Sequence, residues 1–205
     1  MNNIQTGMNW YVLHTVTIPE EKLLAWLKSY NDDREQLLFE TYFSLTYEYV
    51  WRYQHRSYME EKPLFPGYIF LITNHPDELY KKLKELPPFV RLRTEPEEGK
   101  NYFYHMTEED AEFLYSLVES NEDGDFCVHR SFCIREGSMI TQAYGALEKH
   151  MQDIVKADYK KRRVIIETKL FGQRRTIKLC IYDENDCRVE GISVPIHYKG
   201  NTVSI

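Results

Sequence analysis

The chain has no uninterrupted apolar run near the roughly 18 residues a transmembrane helix needs, so no membrane span is expected. Its opening stretch, residues 1–16, lacks a basic segment followed by a long apolar core, and no secretory signal is expected. Four cysteines, Cys127, Cys133, Cys180 and Cys187, are too few and too irregularly spaced for a disulfide scaffold. No Gly-rich phosphate loop, nucleophile elbow or persuasive carboxylate pair occurs, which argues against an enzyme. Cys127, His129 and Cys133 lack the second Cys-x-x-Cys pair that would complete a tetrahedral zinc site, so neither metal nor cofactor is expected. There are no repeats and no low-complexity tracts. A soluble cytoplasmic protein with reduced thiols is the expectation.

What is present is a globular composition, 42% apolar and 28% charged, over 205 residues, enough for one large domain or two small ones. The formal charge of −6 hides a segregation: residues 1–129 carry −11, residues 130–180 carry +7, and residues 181–205 carry −2. Such asymmetry points to two modules with different partners, the basic one a candidate for nucleic acid. The plain alternative is a solubilising surplus on the surface.

Local patterns divide the chain in the same way. Trp10-Tyr11-Val12-Leu13-His14-Thr15 reads as a buried strand. Pro19-Glu20-Glu21 opens a helix, with Pro near the first turn and carboxylates at the positive end of the dipole. Residues 39–60 read as a strand and an extended aromatic hairpin arm, and Tyr68–Ile72 as a central apolar strand. Helices are predicted from Pro76 to Leu86 and from Thr107, which precedes Glu108-Glu109-Asp110. Val90-Arg91-Leu92-Arg93 alternates like a half-exposed strand. The acidic stretch at residues 119–125 reads as linker, and four short strands follow at Ser138–Thr141, Asp153–Ala157, Val164–Lys169 and Thr176–Ile181. The fold class is therefore α+β, with helices over a mostly antiparallel sheet, followed by a small all-β barrel.

Three signatures in order resemble the NusG family of transcription elongation factors: Trp10-Tyr11-Val12-Leu13; Lys62-Pro63-Leu64-Phe65-Pro66-Gly67-Tyr68-Ile69-Phe70; and a KOW-like series. That series runs through Gly137-Ser138, Tyr144-Gly145, Asp158-Tyr159-Lys160-Lys161-Arg162-Arg163 and Leu170-Phe171-Gly172. The resemblance implies an NGN domain at 8–118, an acidic linker at 119–131, a KOW barrel at 132–182 and an extension at 183–205. It also implies docking of the NGN domain on the clamp helices of bacterial RNA polymerase, acting as a monomer. The clamp-facing residues it implies are His14, Phe65, Pro66, Gly67 and Tyr68, with Phe65 and Tyr68 presented as rigid rings; packing of both in the core is the competing reading.

The basic residues Lys149, Lys156, Lys160, Lys161, Arg162, Arg163, Arg174 and Arg175 are expected to merge on one rim into an RNA-binding surface. A merely solvated face is the competing reading. Segregated charge fits the specialised LoaP/UpxY antitermination type better than a housekeeping NusG, and a resemblance to LoaP-type members implies a basic KOW module that reads a leader hairpin in nascent RNA. In a housekeeping NusG, ribosomal protein or termination factor would be the KOW partner. An RNA-binding protein of the translation machinery is a further alternative. The aromatic arm at Tyr47–Tyr58 either stacks unpaired non-template DNA bases or packs on its own sheet. Gln152 replaces a glycine usual in KOW modules, and residues 146–156 are a respectable helix sequence, which leaves a fold-switching module open.

Overall fold

The computed structural model describes residues 9–16, 18–32, 38–53, 56–86, 89, 91–119, 121, 126–187, 196–198 and 201–203. In chain order the front elements are β1 (Trp10–His14), α1 (Glu20–Asp32), β2 (Thr41–Phe43), β3 (Thr46–Tyr53), β4 (Arg56–Pro63) and β5 (Tyr68–Ile72). Next come α2 (Pro76–Glu85), β6 (Tyr102–His105), α3 (Glu108–Ser116), β7 (Cys127–Val128), β8 (Ser131–Glu136) and β9 (Met139–Tyr144). The rear elements are β10 (Ile154–Asp158), β11 (Arg163–Leu170), β12 (Gln173–Tyr182), α4 (Glu184–Cys187), β13 (Ile196–Tyr198) and β14 (Asn201–Val203). Two compact units result: Met1–Leu45 with Phe65–Ala111, and Thr46–Leu64 with Glu112–Ile205.

The first unit is an antiparallel sheet in the order β2-β5-β1-β6. Every residue of β5 is buried, as its unbroken apolar sequence anticipates. Alternation along β1 and β5 sends Leu13, Ile69 and Leu71 into a core with Leu23 and Leu27 of α1 and Leu79 and Leu83 of α2. Both α1 and α2 carry carboxylates in their first turns, facing the positive end of the helix dipole. The helix at Thr107 starts as expected: the Asp110 N–H donates to Thr107 Oγ1 at 3.1 Å.

One expected strand is absent. Arg91 lies in a turn, the Leu92 N–H donates to the Phe89 carbonyl at 2.9 Å, and Arg93 makes only an isolated bridge to Tyr102. Coiling turns Leu92 into the core, where it is 4% exposed, and an extended chain would forfeit that burial. The strand beyond it, β6, had gone unread. Val90 lies outside the described residues, as do residues 120 and 122–125 of the acidic linker.

The second unit holds a five-stranded sheet, β10-β11-β12-β8-β9, and a sheet built on the β3–β4 hairpin, β14-β13-β4-β3-β7. All four predicted rear strands are present within a few residues. The fifth, β8, buries the small Ser131 and Cys133 and leaves Phe132 and Ile134 half-buried, so its inward face carries no run of large apolar residues to mark it. Residues Glu148–Asp153 form a 3₁₀ turn and Ile154 starts a strand, so the predicted helical alternative at 146–156 is not adopted. Of the 183–205 extension, the strand pair β13–β14 is antiparallel.

Candidate functional site

Phe65-Pro66-Gly67-Tyr68 forms a reverse turn closed by the Tyr68 N–H on the Phe65 carbonyl at 3.1 Å. Pro at the second position and Gly at the third, with φ +84°, follow the type II pattern. Glycine is required for a further reason: a Cβ on Gly67 would lie 2.5 Å from the Thr15 carbonyl oxygen. The turn is tied twice at Gly67, by the Thr15 N–H on the Gly67 carbonyl at 2.8 Å and by the Gly67 N–H on Glu20 Oε1 at 2.6 Å.

The rings beside this turn correct the expectation that they are presented to a partner. Phe65 and Tyr68 are each only 7% exposed. Tyr68 begins the fully buried β5, its hydroxyl accepts from the Tyr102 hydroxyl at 3.0 Å, and Phe65 packs 6.2 Å from Phe70. Burying two rings outweighs presenting them, so they hold the turn from beneath. Pro66 is the exposed member, and half-buried His14 stacks 4.4 Å from Tyr68 with Nδ1 3.0 Å from the Lys100 carbonyl.

The basic residues do not form one rim. The turn at Tyr159–Lys161 precedes β11 and the Phe171-Gly172 turn follows it, so the two cationic groups sit at opposite ends of that strand. Arg163 pairs with Cys180 and Lys169 with Arg174, six residues apart, or about 20 Å. Several of these cations are also engaged. Arg162, 6% exposed, makes an ion pair with Asp186 and donates to Ser57 Oγ at 3.3 Å. Arg174 meets Glu167 at 2.9 Å, Arg163 meets Asp158 at 3.9 Å, Lys149 meets Glu119, and Arg175 lies 5.5 Å over the Phe171 ring. Lys156, Lys160 and Lys161 are exposed and make no ion pair among the described residues.

Sequence reasoning missed a cleft of about 180 Å³ in the second unit. Its lining joins Tyr47, Tyr49 and Lys62 of the hairpin to Lys161, Arg163 and Lys178 of the five-stranded sheet. Alternation along β3 was the available signal, because Tyr47 and Tyr49 share a face and Lys62 stands opposite Tyr47. At the cleft's floor, burial and then the Glu48 carboxylate push the Cys180 thiol up to about 12. Burial likewise lifts the Cys133 thiol to about 11, so both stay protonated and unreactive at neutral pH.

Another unread arrangement links Ser116, His150 and Asp153, at 2.8 Å from Oγ to Nε2 and 3.3 Å from Nδ1 to Oδ2. These residue types are those of a hydrolase triad. Here, however, the serine hydroxyl donates to the Phe113 carbonyl at 2.7 Å, and the imidazole is 7% exposed against the Phe113 ring. The chain of contacts ties the end of α3 to the turn before β10. Among the described residues no cluster of His, Cys, Asp and Glu is placed to hold a metal ion, and no helix is long and apolar enough to cross a membrane.

Residues 8–114, which span β1 through most of α3 and include the Gly67 turn, match the family described as NusG, transcription termination factor. The chain belongs to the NusG family. No curated relative matches it at a significant level. NusG-family proteins are non-enzymatic transcription elongation factors that act on RNA polymerase, and the mixed α and β architecture suits an NGN domain followed by a β domain.

Proposed function

We propose that the chain is a specialised NusG-type factor that docks on the clamp helices of bacterial RNA polymerase and suppresses pausing or termination at chosen transcripts. The family match over residues 8–114 carries this proposal. The docking edge is the outer side of the Gly67 turn, with Pro66 and His14 as contacts and Phe65 and Tyr68 fixing them from below. A rigid, tied turn loses little entropy on association. Residues 132–182 of the second unit, taken as a KOW module, recruit a structured element of the nascent RNA through Lys156, Lys160 and Lys161. The opposed charges of residues 1–129 and 130–180, −11 and +7, support separate partners for the two parts.

The neutralised cations favour an alternative reading, a housekeeping factor whose rear unit takes ribosomal protein or termination factor, because Lys149, Arg162, Arg163 and Arg174 already have carboxylate partners. Terminator read-through with purified polymerase, on templates with and without the native leader, separates the two. Read-through that rises only when the leader is present supports the specialised factor. Equal effects on every template support the housekeeping one, and no effect on either template overturns both.

A further inference from the structure

We infer that the cleft between the β3–β4 hairpin and strands β11–β12 is a seat for an unpaired nucleotide of a single-stranded polynucleotide. The inference rests on the proposal that the second unit binds nucleic acid, and it goes further by naming the residues and by requiring the strand to be unpaired.

Charge comes first. Arg162 lines the cleft but is held by Asp186, and Glu48, the lining's carboxylate, is engaged by His129 Nδ1 at 3.2 Å and by the Arg130 N–H at 2.8 Å. Lys161 and Lys178 make no ion pair among the described residues, and Lys62 is shared between Glu60 at 2.8 Å and the Tyr49 ring at 3.7 Å. Arg163 also lines the cleft, with its guanidinium 3.9 Å from the Asp158 carboxylate. Lys161 and Lys178 are thus the lining cations that no carboxylate of the described residues neutralises, and a mobile ammonium binds phosphate readily. The lining therefore calls for an anion.

The aromatic contribution then narrows which anion. Tyr47 and Tyr49 stand 6.4 Å apart at 74°, half-buried, in the same lining. Cations with adjacent aromatic faces are the combination that holds unpaired bases and their phosphates, because every base offers a face for stacking. An acidic peptide would use the cations and leave the rings idle. The volume, about 180 Å³, is on the scale of part of a nucleotide, and a base can stack on the rings only where it is unpaired. The positive surface also continues beyond the cleft: Lys156 and Lys178 flank Ile165 in register across β10, β11 and β12, so their side chains share one face. A strand threading the cleft would have phosphates to lay along that face.

The test uses the full-length protein and fluorescence anisotropy over a range of salt. Probes are a labelled oligouridylate, the matching deoxy-oligonucleotide, and a blunt-ended RNA duplex. Both single strands should bind more tightly than the duplex. Lys161→Gln and Lys178→Gln should each lower the slope of log affinity against log salt by about 0.7 for the single strand. Tyr49→Ala should weaken single-strand binding roughly fivefold or more, and Tyr49→Phe should retain it. Lys81→Gln, on an exposed face of α2, should change nothing. Tighter binding of RNA than of DNA would assign the cleft to the transcript, and the reverse to displaced DNA; both support the seat. Duplex binding as tight as the single strand, with slopes unmoved in the two lysine variants, would overturn the cleft while leaving nucleic-acid binding by the second unit intact. Failure of all three probes to bind would overturn both.

Discussion

Gly67 and Arg162 each take a turn into the left-handed region of backbone space, for different reasons. Gly67, at φ +84° in the first unit, has no room for a side chain against the Thr15 carbonyl. Arg162, at φ +48° in the second unit, carries a long side chain into the same region, where a non-glycine residue is uncommon. It is held there by a buried ion pair with Asp186, by its N–H on the Tyr159 carbonyl at 3.2 Å, and by the Ile181 N–H on its carbonyl at 2.9 Å. One turn is shaped by a local steric demand, the other by a partner 24 positions further along the chain. The steric kind announces itself in the residue type. The remote kind is disguised as one more cation in a basic run.

The sharpest way to break this comparison is to remove the remote partner. Arg162→Ala should cost roughly 3–5 kcal/mol in urea unfolding, because it strands Asp186 in a partly buried site. Adding Asp186→Asn to that variant should cost little more; additive losses would show that the two side chains are not coupled. Phe65→Ala should cost about 3 kcal/mol by the same measurement, since the ring is 7% exposed beside the Gly67 turn. An unchanged unfolding midpoint would return that ring to the surface. Gly67→Ala should cost about 2 kcal/mol through strain and the clash with the Thr15 carbonyl. A separate effect belongs to alkaline solution. The Cys180 thiol rises from 9.0 to about 12 on folding, so the native state keeps its proton longer than the unfolded chain does. Stability is then full below pH 9.0 and declines as pH climbs toward about 12, and Cys180→Ala should flatten that decline in pH-dependent urea titrations. Arg174→Ala is the smallest, within about 0.5 kcal/mol, because its pair with Glu167 is solvent-exposed.

What was legible in the sequence follows the same line. The buried β5, the Pro66-Gly67 turn, the Thr107 cap and four of the five strands in the rear sheet each obey rules that act over a few neighbouring residues. The burial of Phe65 and Tyr68 was not legible, because aromatic residues suit a docking edge and a sheet interior equally well. Nor was the separation of the basic residues to the two ends of β11, since merging them assumed that successive turns share a rim, whereas a hairpin places successive turns at opposite ends. The pairing of Arg162 with Asp186, and of Glu48 with Arg130, joins residues whose spacing follows no helix or strand period. The cleft escaped notice because its lining draws on two distant stretches, Tyr47 to Lys62 and Lys161 to Cys180.

The membership of Thr46–Leu64 in the second unit, although Leu45 and Phe65 on either side belong to the first, bears on how such a protein can be inherited. No single cut in the gene separates the two units. A crossover that exchanged only the rear half between relatives would leave behind the β3–β4 hairpin fitted to the old one. The two portions are therefore expected to vary together down a lineage, with changes in Tyr47, Tyr49 and Lys62 tracking changes in Lys178 and its neighbours.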